Sequence, residues 1–443
     1  MTMTLLRHPV GVSVGVQEVF EAVFRDAQHA LWYDDHGDRG VGKSFVAAGA
    51  PLDLNRDTWR SDLRTAHSTF ASVECDGLPL GVFFVLPYEL GSDTLGLPHL
   101  PGGVAARPRG MAVERGIEID HHSGAVVLCA MGEDWSGELG QWRDRVIEVL
   151  AQLTPLPPPQ LPQGLPLEWR DSTQRYLEMI AQAQAAIADG DAYQVCLTTS
   201  LSIRGSIDPV ALHRHLREVN PTHHQALIRF PDLTMVSATP ETFLEVGADR
   251  VVVTRPIKGT RPRGASAEED EALILELRDN DKERAENLMI VDLMRNDLSP
   301  IAVVGSISVP ELLVVETYAS VHQLVSTVQA TLRLDADVVD VLESTFPAGS
   351  MTGAPKRRAV ELLAGWEGQP RGYYSGVFGV WRGDGSATIA MTIRTAVVTP
   401  EGLTIGVGGG ITALSDPAFE VAEVGVKALP FLRALGHNQV QYS

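Results

Sequence analysis

Apolar positions along this chain change period several times, and each change marks an element. Tyr176, Met179, Ile180, Ala183 and Ile187 recur at the helical spacing, with Ser172 as a cap and Gly190 as a stop. From Tyr193 to Leu201 the period drops to two: Tyr193, Val195, Leu197 and Leu201 share one face, and Gln194, Cys196, Thr198 and Ser200 the other. Asp208-Pro209 opens a further helix. Short strands are predicted at about 225–230, 234–238 and 250–254, then a long helical region over 267–297 broken near Asp279-Asn280. Strand-like runs follow at 311–318 and 321–332, then a helix over 336–345 and another beginning at Ala354-Pro355. Strands return at 373–381, 387–398 and 402–407, and a last helix runs from the Ser415-Asp416-Pro417 cap to about Leu435. Runs of adjacent strands with helices between them predict an α+β fold with a mostly antiparallel sheet rather than a dinucleotide-binding one.

The organisation is uneven. Pro155 to Pro166 holds six prolines and reads as a stiff extended connector. It separates an amino-terminal half, 1–154, poor in motifs, from the region 167–443, which is dense in them. The two halves are free to share one core. A formal net charge of −20 argues against a nucleic-acid or anionic-membrane partner. Cys75, Cys129 and Cys196 are far apart and without metal-ligand spacing, which fits a reducing, cytoplasmic setting. No apolar run approaches a membrane span, and Met1 to Val10 lacks the pattern of a signal peptide.

Candidate chemistry centres on Arg255-Pro256-Ile257-Lys258-Gly259-Thr260. It sets one primary amine between the strand Val251 to Thr254 and an expected glycine-threonine turn. Such an amine binds an anion or attacks a carbon, and the stretch alone leaves both open. Glu283 and Glu286 are three apart on a predicted helix, as are Glu420 and Glu423 on the last one, so each pair shares a face. Two such pairs suit one Mg²⁺, a hard ion that prefers oxygen; either pair alone reads first as a solvated face. Gly408-Gly409-Gly410 is expected as a ligand-approaching turn between a strand and the last helix, and Thr352-Gly353-Ala354-Pro355 as the anion-receptive start of another. Arg394, expected inside an apolar strand, needs a carboxylate, either internal or a ligand's. Glu241 begins a strand and is a candidate general acid. Together these are what a small polycarboxylate substrate requires.

The wording of these segments resembles the chorismate-utilising enzymes, a family that includes anthranilate, aminodeoxychorismate, isochorismate and salicylate synthases. The resemblance rests on Gly190 to Val195, Asp281 to Asp297 (DKERAENLMIVDLMRND), Val315 to Tyr318, Phe346 to Lys356 (FPAGSMTGAPK) and Gly408 to Glu423. It covers about 170–435, and before that only Pro87-Tyr88-Glu89-Leu90-Gly91. It implies the anthranilate synthase component I-like fold, large antiparallel sheets with helices outside them. It implies Mg²⁺ held by Glu286 and Glu423, with Glu283 and Glu420 beside them. It implies a chorismate site of Gln194, Gly259, Thr260, Thr352, Tyr374, Arg394, Gly408, Gly409 and Gly410, with Lys427 nearby, and Glu241 as the acid that protonates the departing C4 hydroxyl.

Two positions sort the family. Members that add water at C2 have a lysine where this chain has Gln194, and anthranilate synthases generally have alanine where it has Lys258. Both resemble the branch that places nitrogen at C4, the aminodeoxychorismate synthases, component I. In that reading the Lys258 amine, with Arg255 and Arg261 as neighbouring cations, attacks C2 while the C4 hydroxyl leaves, and ammonia then displaces it from C4. A glutamine amidotransferase subunit is implied as ammonia donor, because no nucleophilic-cysteine motif is visible and the chain is short for that domain. The product leads to 4-aminobenzoate and folate. Anthranilate synthase component I and a non-catalytic chorismate-binding subunit are the alternatives. The family often carries a histidine immediately before Leu324, where this chain has Gln323, with His322 one residue earlier.

Overall fold

The Ser172 hydroxyl accepts a hydrogen bond from the Arg175 amide, and the helix Thr173–Ala188 follows it. Asn280 does double duty. It ends the helix Ala267–Asp279, and its side chain accepts from the Glu283 amide to start Asp281–Leu298, which is the expected break. Asp208 and Asp416, each followed by proline, cap Pro209–Val219 and Pro417–Ala434 in the same way. The computed structural model describes residues 3–35, 42–71, 73–98, 106–318 and 321–437; of the amino-terminal stretch, Met1 and Thr2 lie outside the described residues.

Among the described residues the strands form two sheets, of twelve and ten strands, with antiparallel pairings. This is the α+β arrangement expected. Between them lies the main apolar core, which includes Phe83, Phe84, Leu244, Phe378 and Met391. The outer face of the larger sheet packs under the helices Thr173–Ala188, Pro209–Val219 and Pro417–Ala434 through Tyr176, Ile180, Leu212, Leu216 and Phe431. Tyr176 and Ile180 are two of the side chains that set the helical period in the sequence.

Residues 155–166 carry neither helix nor strand. The Pro157 carbonyl accepts from Arg214, and the Gln163 side chain donates to the Ala434 carbonyl, so the connector is tied down. Strands from its two sides pair directly: Ala30–Asp35 with His224–Phe230, and Gly81–Leu86 with Val377–Trp381. Glu89, from the one amino-terminal motif, is buried, and its Oε1 accepts from the Arg371 and Gly372 amides at 2.7 and 3.1 Å. That contact places the stretch before Tyr374.

One buried ion pair ties the helices Asp281–Leu298 and Lys356–Glu367 together. Lys356, at the start of Lys356–Glu367, donates to Asp297 at 2.5 Å and to the Thr345 carbonyl at 2.6 Å. Burial pushes the Asp297 carboxyl up and the Lys356 amine down, so both ions are held against their desolvation by each other. Lys356→Met leaves Asp297 buried and unpaired. We expect it to cost about 3–5 kcal/mol of stability, read by urea unfolding, with Asp297→Leu added on top restoring most of the loss.

Candidate active site

Val251–Thr254 and Ile257–Pro262 run one after the other along the partner strand Val321–Thr331. Pro256 has no amide hydrogen to give the ladder and separates them. The register slips between Lys258 and Thr260, and Gly259 sits at φ +78°. The expected glycine-threonine turn is therefore a bulge within a strand. A bulge re-aims the neighbouring side chain, and Lys258 lines a cavity of about 440 Å³. A Cβ on Gly259 would meet Leu277 at 2.7 Å and Glu283 at 3.0 Å, so the bulge also seats the strand against the two helices.

The expected strand over 387–398 is two strands in different sheets, Ala387–Met391 and Thr395–Thr399. Arg394 lies in the crossing, at φ +45°, and lines the same cavity. This corrects its placement inside a strand. No carboxylate among the described residues lies within 4.0 Å of its guanidinium, so the internal salt bridge is not what it serves. Lys258 likewise has no side-chain hydrogen bond or ion pair among the described residues. Its neighbouring cations are engaged elsewhere: Arg255 pairs with Glu316, and Arg261 with Glu276 and Glu283.

Gly408, Gly409 and Gly410 are not a turn. They belong to the strand Gly402–Ile411, paired with Gln194–Arg204. Side chains are crowded there: a Cβ would stand 2.4 Å from the Leu197 carbonyl at Gly408, 3.1 Å from Glu420 Oε2 at Gly409, and 2.4 Å from Gln194 Nε2 at Gly410, so at the last two the glutamate or glutamine would have to move. The bare backbone forms one cavity wall, and the carboxylates lie against it. At Gly406 a Cβ would overlap Tyr374, 2.0 Å from its Cγ. We expect Gly406→Ala to force Tyr374 out of the wall, at a cost of about 1–3 kcal/mol in stability. It should also raise KM for the substrate, both checked by thermal melting and steady-state kinetics.

Glu241 lies just before the strand Thr242–Val246 and receives the Ser350 hydroxyl at 2.8 Å. Burial raises its pKa above the ordinary carboxylate value, against the pull of Ser350 and of the Lys258 and Arg394 charges. Ser350 was not among the candidates, although it sits inside the FPAGSMTGAPK stretch; nothing local marks it, because its partner is remote in sequence.

Glu283 and Glu286 from one helix and Glu420 and Glu423 from another all face the cavity. Each has a cation near it. Arg261 is 3.5 Å from Glu283, Lys282 is 3.9 Å from Glu286 and 3.5 Å from Glu420, and Lys427 is 3.3 Å from Glu423 while donating to the Gly408 carbonyl at 2.7 Å. Burial raises the pKa of Glu286 and of Glu420. Among the described residues no three acidic, histidine or cysteine groups converge tightly enough to ring a metal by themselves. Mg²⁺ needs only one or two protein carboxylates, with water and substrate oxygens completing the shell. The all-oxygen donor set from two facing helices fits that requirement.

Lys258, Glu241, Gly259, Thr260, Tyr374, Arg394, the three glycines, Lys427 and all four carboxylates thus line one cavity. Gln194 and Thr352 do not. Gln194 is buried behind Gly410 with its Oε1 lacking a hydrogen-bond partner, and Thr352 is spent on the Ala348 carbonyl and the Cys196 amide. Gln323 does line it, whereas His322 faces away, held by Asp270 at 2.8 Å and Thr317 at 2.9 Å. Adjacent residues of a strand point to opposite faces, so His322 is no stand-in for the family histidine. A larger cavity, about 790 Å³, lies across Pro240 and Ile257 and lacks this set of groups.

A fold of two antiparallel sheets with a carboxylate-lined cavity between strands of both sheets and two helices defines a class, and the chain belongs to it: the chorismate binding enzyme family, whose model matches residues 28–433. The chain is 42% identical over 458 aligned residues to the aminodeoxychorismate synthase of Streptomyces pristinaespiralis, covering 94% of this chain and 63% of that protein. It is 39% identical over 319 residues to anthranilate synthase component 1 of Haloferax volcanii, covering 70% and 61%. The chain therefore spans somewhat less than two thirds of the length of either relative. The crystal structure of anthranilate synthase component I from Streptococcus pneumoniae superposes with a TM-score of 0.77 at 24% identity, over 96% of this chain and 99% of that one.

Proposed function

We propose that this chain carries the chorismate-converting step of an aminodeoxychorismate synthase, joining ammonia to chorismate to give 4-amino-4-deoxychorismate. The observation that carries the reading is Lys258, aimed by a bulge into the cavity, with no ion pair among the described residues, beside an acid whose pKa burial raises. The Lys258 nitrogen forms a bond to C2 of the ring. Both ring double bonds shift along the diene toward C4 and the C4–oxygen bond breaks, while Glu241 gives its proton to the leaving hydroxyl, which departs as water. Ammonia then bonds to C4, both double bonds shift back, and the C2–nitrogen bond breaks to release the lysine amine. One hard regiochemical problem becomes two allylic displacements, with C2 blocked while nitrogen arrives.

Arg394, at the sheet crossing and without an ion pair among the described residues, orients a substrate carboxylate, and Tyr374 and the glycine wall bound the ring. Glu286 and Glu423, with Glu283 and Glu420, would hold Mg²⁺. When bound, that ion neutralises substrate carboxylate and fixes its position. A glutamine amidotransferase partner supplies ammonia in the cytoplasm, and free ammonium replaces it in vitro. The three free, buried cysteines and the lack of a membrane-spanning helix among the described residues accord with that setting. The product is then available for 4-aminobenzoate formation.

Incubating the purified chain with chorismate, Mg²⁺ and ammonium tests this. The expected product is non-fluorescent 4-amino-4-deoxychorismate, identified by mass and by conversion with a lyase. Fluorescent anthranilate formed without a lyase would make the chain an anthranilate synthase component. Failure to consume chorismate with any nitrogen source would make it a binding subunit.

A further inference from the structure

Lys282 is the second residue of the helix Asp281–Leu298. A cation in a first turn opposes the helix dipole. Its i,i+4 partner Glu286 lies on its carboxyl-terminal side, which is the weaker orientation of such a pair. Helix stability therefore does not account for a lysine at this point. Its contacts do. Its Nζ stands 3.5 Å from Glu420 Oε1 and 3.9 Å from Glu286 Oε1, bridging the two helices across the cavity. Glu420 is 2% exposed and Glu286 9%, whereas Lys282 keeps 33%. The ammonium can withdraw toward solvent and the carboxylates cannot. Of the other cations lining the cavity, Lys427 is tied to Glu423 and the Gly408 carbonyl and Arg261 to Glu276 and Glu283, while Lys258 and Arg394 make no ion pair among the described residues.

Resting on the magnesium reading above, we propose that Lys282 is a resident counter-cation that competes with the divalent ion for Glu286 and Glu420. It keeps two buried carboxylates from repelling each other across the helix interface, and it must give way before both can face a metal. Metal alone then binds weakly, and tight binding waits for the substrate's own carboxylate to enter the shell. Lys282 is in this sense a positioning residue, acting through Glu286 and Glu420 and not on the substrate.

The test is calorimetric titration of Mg²⁺ into the purified chain without chorismate, at fixed ionic strength. Lys282→Met and Lys282→Gln should tighten Mg²⁺ binding about tenfold, or ~1.4 kcal/mol. Lys282→Arg, which keeps the charge, should stay within about twofold of the parent on the same scale. In chelator the two neutral variants should melt lower than the parent, since Glu286 and Glu420 then face each other unscreened. A purely structural lysine would lower stability without tightening the metal. Unchanged or weaker Mg²⁺ binding in both neutral variants overturns the proposal. If the parent binds no Mg²⁺ with or without chorismate, the competition and the metal assignment fall together, while the product assay separately decides the reaction.

Discussion

Lys258→Ala should lower the rate of 4-amino-4-deoxychorismate formation by roughly 10³-fold or more, about 4 kcal/mol of transition-state stabilisation. The substitution removes the nucleophile and little else. Lys258 has no side-chain hydrogen bond or ion pair among the described residues, so no partner is orphaned, and the bulge that aims it depends on Gly259 rather than on its side chain. Chorismate should still bind with KM changed only a few-fold, because Arg394, Tyr374 and the glycine wall remain. The loss therefore appears in kcat, the signature of an interaction made only in the transition state. With C2 no longer blocked, whatever product remains should carry nitrogen at C2. Steady-state kinetics with ammonium, followed by mass and fluorescence analysis of the products, checks both halves. A variant that formed the C4 product at the parent rate, with unaltered ammonium dependence, would remove the nucleophile role.

Glu241→Gln should cost about 10²–10⁴-fold in kcat. The amide keeps the shape and can still accept from Ser350, but it has no proton to give the leaving hydroxyl. The pH profile tests the same group. Burial raises the Glu241 pKa, so the carboxyl holds its proton to a higher pH than an exposed glutamate. An acid catalyst is active in its protonated form, so the rate it supports is present below the folded pKa and falls as pH rises through it. That falling limb should be present in the parent and absent from the Gln variant. Ser350→Ala removes a hydrogen bond that favours the ionised form, so it should move the limb further toward alkaline pH.

The contrast between what was legible and what was not is physical. Helices declared themselves because their ends carry side-chain caps: Ser172, Asp208, Asn280 and Asp416 each accept a backbone amide in the structure. The division of 387–398 was hidden, because alternation continues across the break. Only the backbone reversal at Arg394 sends the two pieces to different sheets, and a positive φ at arginine has no sequence marker. Gly408 to Gly410 read as a loop because glycine weakens strands; the crowding by Leu197, Gln194 and the glutamates that disfavours side chains there comes from remote segments. The amino-terminal half is poor in motifs, so its place was left open, and its strands in fact complete both sheets. The carboxylate pairs were visible from helical spacing. The facing cation, Lys282, was not, since its main partner is Glu420, distant in the chain. The residues in which resemblance and geometry meet are those lining the cavity; Gln194 and Thr352 support it from behind.

The central claim is a covalent bond between the Lys258 nitrogen and the substrate ring before ammonia adds. Intact-protein mass spectrometry after addition of chorismate and Mg²⁺, without any nitrogen source, tests it most directly. The expected result is a mass gain equal to chorismate less one water, mapped by proteolysis to Lys258 and discharged when ammonium is added. A protein that makes the C4-amino product when ammonium is supplied, yet shows no adduct on Lys258 when rapidly quenched under single-turnover conditions, would contradict it.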